Sequence, residues 1–319
     1  MAEPHPTGPG GPGRVHVHDA NNTKDVPWYI PIIPALMSPP LIDLLENYAG
    51  MPPSEQEAHL YRIRDLAWEV FPMPSVGLFW WLVLGLSTHP HYRQLIELMK
   101  SPPTDPSHPR KFLDLGACLG QDSRKLIHDG IPSSSVYASD IFPGYESVGH
   151  ALFNDAPTTH GHFIAADIFD SSRSSPLVRS RGTWDAISIF MFLHMFSRED
   201  LLLAIRQVLL LLSAEPGSMI IGAQTSSTED HEEVLSTPFL KEGVVRKVFR
   251  PSKETFKQMW QEAALDMGIG VKVWAEYRPR WELGETEVEQ NYSESHAMVA
   301  KDEEQRGKQR RMFFTVERL

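Results

Sequence analysis

The chemistry of this chain gathers at three aspartates and one glycine-rich turn. Lys111–Gly130 reads KFLDLGACLGQDSRKLIHDG: an apolar strand, a turn of small residues and the opening of a helix. Asp114 ends the strand, Ala117-Cys118-Leu119-Gly120 forms the turn, and Asp122 and Ser123 are N-cap types for the helix that follows. Glycine has no Cβ, so Gly116 and Gly120 let a ligand approach backbone N–H groups. Asp140 and Asp167 end the next two predicted strands. The C-terminal tips of strands are where open α/β sheets bind ligands. An acceptor-only carboxylate at Asp140 suits two ribose hydroxyls. Asp167 suits the exocyclic amine of a base, with the Ile168 backbone on the ring edge, and Phe142 can pack on the base itself. His194 follows the fourth strand and can act as a general base, an orienting donor or a structural histidine.

Two glycine patterns compete for the turn. The dinucleotide fingerprint G-x-G-x-x-G requires glycine at 116, 118 and 121, where the chain has Gly116, Cys118 and Gln121. The pattern D-x-G-x-G-x-G fits better, with Asp114, Gly116 and Gly120 in place and Cys118 as the one departure. A cysteine there must point away from the ligand or narrow the turn.

Composition sets the outer limits. The 319 residues suggest one large domain, or one domain with a helical extension, and 41% hydrophobic residues supply its core. A net charge of −11 argues against gripping a nucleic-acid backbone. A single cysteine excludes an intrachain disulfide and suits a reducing compartment, and no run is apolar enough to span a bilayer, so a cytoplasmic protein is expected. Among histidines and acids no convincing metal-ligand spacing appears, and no metal is expected.

The elements that must position these residues follow from pattern. Residues 1–24 are rich in Pro and Gly and are expected to be a disordered tail. Residues 25–109 predict a helical cap. Within it, Ser54–Phe71 opens on a capping box, and Val76–Leu86 is apolar all round, as for a helix buried on most sides. Phe79, Trp80, Trp81 and Tyr92 can line an apolar substrate pocket or fill the helix–helix core. From 110 to 319 strands and helices alternate, the signature of a parallel sheet. Residues 225–250 read as a loop-rich insertion, 281–311 as a long loop, and Met312–Val316 as a final strand that can pair antiparallel.

The segments FLDLGACLGQDSRKLIHDG, VYASDIFPGYESVGHALFND, HFIAADIFD, TWDAISIFMFLHMF and MIIGAQT resemble the class I S-adenosylmethionine (SAM) methyltransferases, and among them the fungal enzymes of meroterpenoid pathways. The resemblance covers about residues 25–280. It implies a Rossmann-like, mostly parallel seven-stranded sheet with an N-terminal helical cap. It implies SAM as cofactor, held by Asp114, Gly116, Gly120, Gln121, Asp140, Ile141, Asp167 and Ile168. Carboxylates such as Asp114 and Asp122 suit the amino group and sulfonium of that cofactor. It further implies a small lipophilic acceptor, foremost the carboxyl of a prenylated aromatic acid, and a homodimer. A phenol acceptor with His194 as base is the alternative. A nicotinamide-dependent oxidoreductase and a non-catalytic partner protein of the same fold also stay open. The D/N-P-P-Y/F motif of amino-methylating nucleic-acid enzymes is absent, FMFLH standing in its place.

Overall fold

A computed structural model of the protein describes residues 20, 23–33, 37–156, 162–278 and 308–319. Its centre is a seven-stranded sheet in the order β3-β2-β1-β4-β5-β9-β8. The strands are β1 Phe112–Leu115, β2 Val136–Asp140, β3 Phe163–Ala165, β4 Ala186–Phe190, β5 Met219–Ser227, β8 Val271–Arg278 and β9 Gln309–Arg318. β1 to β5 pair in parallel, and β9 inserts antiparallel between β5 and β8. The inner strands are buried on both faces, which is why they read as nearly unbroken apolar runs.

Helices cover both faces. α1 Pro39–Asp43, α2 Pro53–Val70, α3 Pro74–Gly77 and α4 Tyr92–Lys100 precede the sheet. α5 Gln121–His128, α6 Gly144–Phe153, α7 Pro176–Arg179, α8 Arg198–Leu211 and α9 Lys253–Asp266 connect its strands. α8 and α9 pack on one face, where Ile187, Ile189 and Ile220 meet Phe256, Trp260 and Phe314. On the other side α2 and the N-terminal segment pack on α6 through Trp28, Leu60, Trp68, Phe79, Tyr145 and Phe153.

Several local expectations change. Val76–Leu86 is buried but is not a helix: α3 gives way to Phe79 in the left-handed region at φ 58°, then to short 3-10 turns at Trp80–Leu82 and Leu86–Thr88. Valines and aromatics have weak helix preference, so tertiary packing decides there. Ser54 is not the cap of α2, which starts one residue earlier on Pro53 at N1. Asp122 and Ser123 lie inside the first turn of α5, whose cap is Gly120. The 225–250 stretch holds the end of β5 and a hairpin, β6 His231–Leu235 with β7 Arg246–Arg250. Ala20 is buried and bridges Leu240 of that hairpin, so the fold reaches into the expected tail. The rest of that tail, and most of the expected 281–311 loop, lie outside the described residues.

Candidate active site

The glycine-rich turn is held from below by β2. The N–H groups of Gly116 and Ala117 donate to the Ser139 carbonyl at 2.8 and 3.0 Å, and Cys118 N–H donates to Asp140 Oδ2 at 3.0 Å. The turn therefore spends these donors on the protein. Gly116 and Gly120 adopt φ values of 76° and 67°, which L side chains rarely take. A Cβ on Gly120 would lie 2.3 Å from the Arg124 guanidinium. Arg124 is buried and pairs with Asp155 at 2.8 Å, which ties α5 to the end of α6.

Cys118 resolves the irregular position. It too is left-handed, at φ 50°, the conformation for which glycine is the natural choice. Its thiol packs toward the Tyr145 side, where burial and the nearby Asp140 charge push its pKa up and keep it a neutral thiol. Cys118→Gly is expected to fold normally, with the affinity for S-adenosylhomocysteine within about twofold of wild type. Cys118→Val should cost about 2 kcal/mol, since a β-branched residue is an outlier at positive φ. Calorimetry of both variants checks this; a Val variant as stable as wild type would refute the strained turn.

Three carboxylates adjoin the turn, and a fourth stands past the end of β3. Asp114 is buried; burial raises its pKa to about 6, with the Ser123 hydroxyl, 3.0 Å away, easing its ionisation. Asp122 is raised further by burial and by Asp114, and its Oδ1 accepts the Leu86 N–H. Asp140 is raised by burial, opposed by the N–H groups of Phe142 and Cys118. Asp167, past the tip of β3, accepts the Phe169 N–H at 2.9 Å, while the Ala166 N–H beside it donates to the Asp140 carbonyl. The site is thus acidic and desolvated, suited to a ligand that brings positive charge.

The β4 exit closes the site from the other side. Met191 is left-handed at φ 52°, which turns the chain so that the Phe192 ring lies over Gly116. A Cβ at 116 would stand 2.8 Å from that ring, a second reason for glycine. His194 follows in a short 3-10 turn. Burial, then the charges of Arg250 and Arg311, lower its pKa to about 3. Arg311 stands on β9 and also favours the ionised form of Asp122, so its charge acts on both sides of the site.

The other sequence candidates divide. Gln121 opens α5 and buries Oε1 with no hydrogen-bond partner. Ile141 is exposed, while the Ile168 side chain is buried in the core, leaving only its backbone for a ligand. Phe142 stacks on Phe71, with ring centroids 4.4 Å apart, which takes one face of its ring. Phe79 and Trp81 are enclosed in the core between the N-terminal region and α6, and the half-buried Trp80 packs against it. Tyr92 donates to Asp129 at 2.6 Å, just past the C-terminal end of α5 and so a helix length from the turn. The structure therefore does not gather these four aromatics around one pocket. Phe192, Gln224, Arg250, Arg311 and the β6–β7 hairpin were absent from the sequence reading. Only Phe192 had a sequence signal, its place beside His194 after the β4 pattern.

Residues 28–82 match the family described as the meroterpenoid methyltransferase N-terminal domain. The chain is 31% identical over 266 residues to the O-methyltransferase phiE of Fungal sp. (strain ATCC 74256), covering 83% of this chain and 81% of that one. It is 32% identical over 237 residues to the Asnovolin E/Chermesin D methyltransferase nvfJ of Aspergillus novofumigatus (strain IBT 16806), covering 73% and 79% respectively. The chain belongs to this family of fungal secondary-metabolite methyltransferases. It is a SAM-dependent methyltransferase with the family's mostly parallel seven-stranded sheet and N-terminal helical region. No helix among the described residues is long and apolar enough to cross a membrane.

Proposed function

We propose that the protein methylates a carboxylate of a small lipophilic natural product, giving a methyl ester, and that the site just described holds SAM. The residues present suit that cofactor. Gln121 offers a buried, unpartnered acceptor for the amino group of the methionine end, beside the acidic pair Asp114 and Asp122. Asp140 uses one lone pair per oxygen on Cys118 and Phe142 and keeps the others for ribose hydroxyls. Asp167 and the Ile168 backbone then serve the adenine edge, with Ile141 covering the ring from the exposed side. When bound, the cofactor supplies an electrophilic methyl group and leaves as S-adenosylhomocysteine.

The observation that carries the carboxylate reading is the state of His194. With a pKa near 3 it is neutral at pH 7 but a very weak base. A phenol ionises near pH 10, while burial and the Arg250 and Arg311 charges hold the His194 pKa below the ordinary histidine value, so transfer of the phenol proton to His194 is uphill. A carboxylate is already ionised and needs only to be aligned with the methyl group and kept from water. His194→Ala is accordingly expected to lower kcat by a few-fold. A loss of about 10²–10⁴-fold, the range for a general base, would favour the phenol reading instead. Labelled SAM offered with prenylated aromatic acids and phenols tests the product directly, as a base-labile ester against a stable ether. Assembly as a homodimer belongs to the same proposal; sedimentation at twice the 36.1 kDa chain mass would support it and sedimentation at the chain mass would remove it.

A further inference from the structure

Around the exit of β4 and the C-terminal half of β5, three side chains bury polar atoms that nothing in the protein satisfies. Gln224 on β5 is 1% exposed, and neither its amide nitrogen nor its amide oxygen has a partner. Arg250, at the end of β7, is 6% exposed and leaves Nε unmet. His194 buries Nδ1 without a partner. Buried polar groups are paired in the great majority of cases, so three in one place call for a ligand that pairs them.

The chain brings the three together by its backbone. Met191 N–H donates to the Ala223 carbonyl at 2.7 Å, which sets the β4 exit alongside Gln224. Gln224 and Ser226 project from the same face of β5, and the Ser226 hydroxyl donates to the carbonyl of Pro251, the neighbour of Arg250. Arg250 Nη1 donates to the His194 carbonyl, and the Phe249 N–H donates to the Phe196 carbonyl at 2.8 Å, so β7 is pinned to the His194 loop. Glu233 pairs with Arg250 Nη2 at 2.7 Å. The guanidinium charge is thereby matched, and its free Nε–H is a fixed, directional donor.

We propose that Gln224, Arg250 and His194 form the polar seat of the methyl acceptor and hold one oxygen of its carboxylate, leaving the other oxygen for the methyl group. This rests on the carboxylate reading above. In this seat Arg250 Nε–H, the Gln224 amide N–H and the Nδ1–H tautomer of neutral His194 are the donors to that oxygen. The insertion hairpin contributes Arg250, so the segment that reads as a loop in the sequence supplies part of acceptor recognition.

The test is binding to protein saturated with S-adenosylhomocysteine, using 3-geranyl-4-hydroxybenzoate and its decarboxylated counterpart 2-geranylphenol. Wild type should prefer the acid at least tenfold. Gln224→Leu should keep a native or higher Tm, because the amide gives the fold no hydrogen bond, yet lose the acid preference at least tenfold with phenol binding unchanged. Arg250→Lys, which keeps the charge beside Glu233 but removes the Nε–H, should lose the acid preference likewise, at a lower Tm because the bond to the His194 carbonyl goes with it, and the Gln224 variant decides the matter if the Arg250 variant does not fold. Acid preference retained in a folded Gln224→Leu protein overturns the seat alone, and means that water satisfies these groups. A wild type that binds neither probe, or prefers the phenol, overturns the seat together with the carboxylate reading.

Discussion

Asp140→Asn is expected to weaken S-adenosylhomocysteine binding about a hundredfold without lowering the Tm. The carboxylate is largely buried and carries a raised pKa, with burial the main cause. A group whose folded pKa lies above its unfolded value costs the fold stability once ionised, so above the ordinary aspartate range the charge at 140 works against folding. A neutral amide removes that cost and can still accept one of the two backbone N–H groups now held at 3.0 and 3.1 Å. The loss falls on the ligand. Hydrogen bonds to a charged acceptor are worth about 1.5–3 kcal/mol each, so losing the charge beneath a pair of ribose hydroxyls gives the hundredfold change. Calorimetric titration and thermal unfolding of the same variant check both halves. Near wild-type affinity would remove Asp140 from the cofactor site.

The largest effect on stability is expected at Arg124. Arg124→Met strands a buried Asp155, which should cost about 3–5 kcal/mol and lower the Tm by about 10 °C. Asp155 also receives the Tyr48 hydroxyl and His150 Nδ1 at 2.9 and 2.8 Å, so one substitution loosens the helical turn Leu44–Tyr48 that follows α1, α5 and α6 together. The pH dependence has a definite sign. Burial alone would raise the Asp155 pKa, but Arg124 and its neighbours outweigh it and the net shift is downward. A depressed folded pKa stabilises the protein above the unfolded value and loses that contribution as pH falls through the folded one. The deficit of Arg124→Met should be full at pH 7 and shrink below about pH 4, as aspartates protonate. A deficit that does not change with pH would mean Arg124 acts through packing alone.

The proposed cofactor half of the site was legible because its residues are close in sequence and obey the βα rule. Asp114, Gly116 and Gly120 lie in one strand–turn–helix, and Asp140 and Asp167 sit at or just past the next two strand tips. The mostly parallel seven-stranded sheet and the antiparallel last strand also follow from pattern and resemblance. The proposed acceptor half was not legible. Gln224 and Arg250 stand on strands separated by a hairpin, and Arg311 comes from the other end of the domain, so no spacing links them. The aromatics misled for a physical reason. A run such as GLFWWLV serves a pocket wall or a core equally well, and only the left-handed kink at Phe79, which the sequence does not announce, commits these rings to the core.

The insertion hairpin does not stand alone. Trp28 stacks on Phe239 with ring centroids 4.7 Å apart and an interplanar angle of 4°, and Ala20 bridges Leu240. Two stretches far apart in the chain are therefore one mechanical piece. For anyone recombining relatives to change acceptor choice, residues 20–82 and 228–251 form a single cassette: transplanting the front alone would set a foreign ring against Phe239 and shift the strand that carries Arg250. Descent with new substrates would have faced the same coupling, with changes in one stretch accepted only alongside changes in the other.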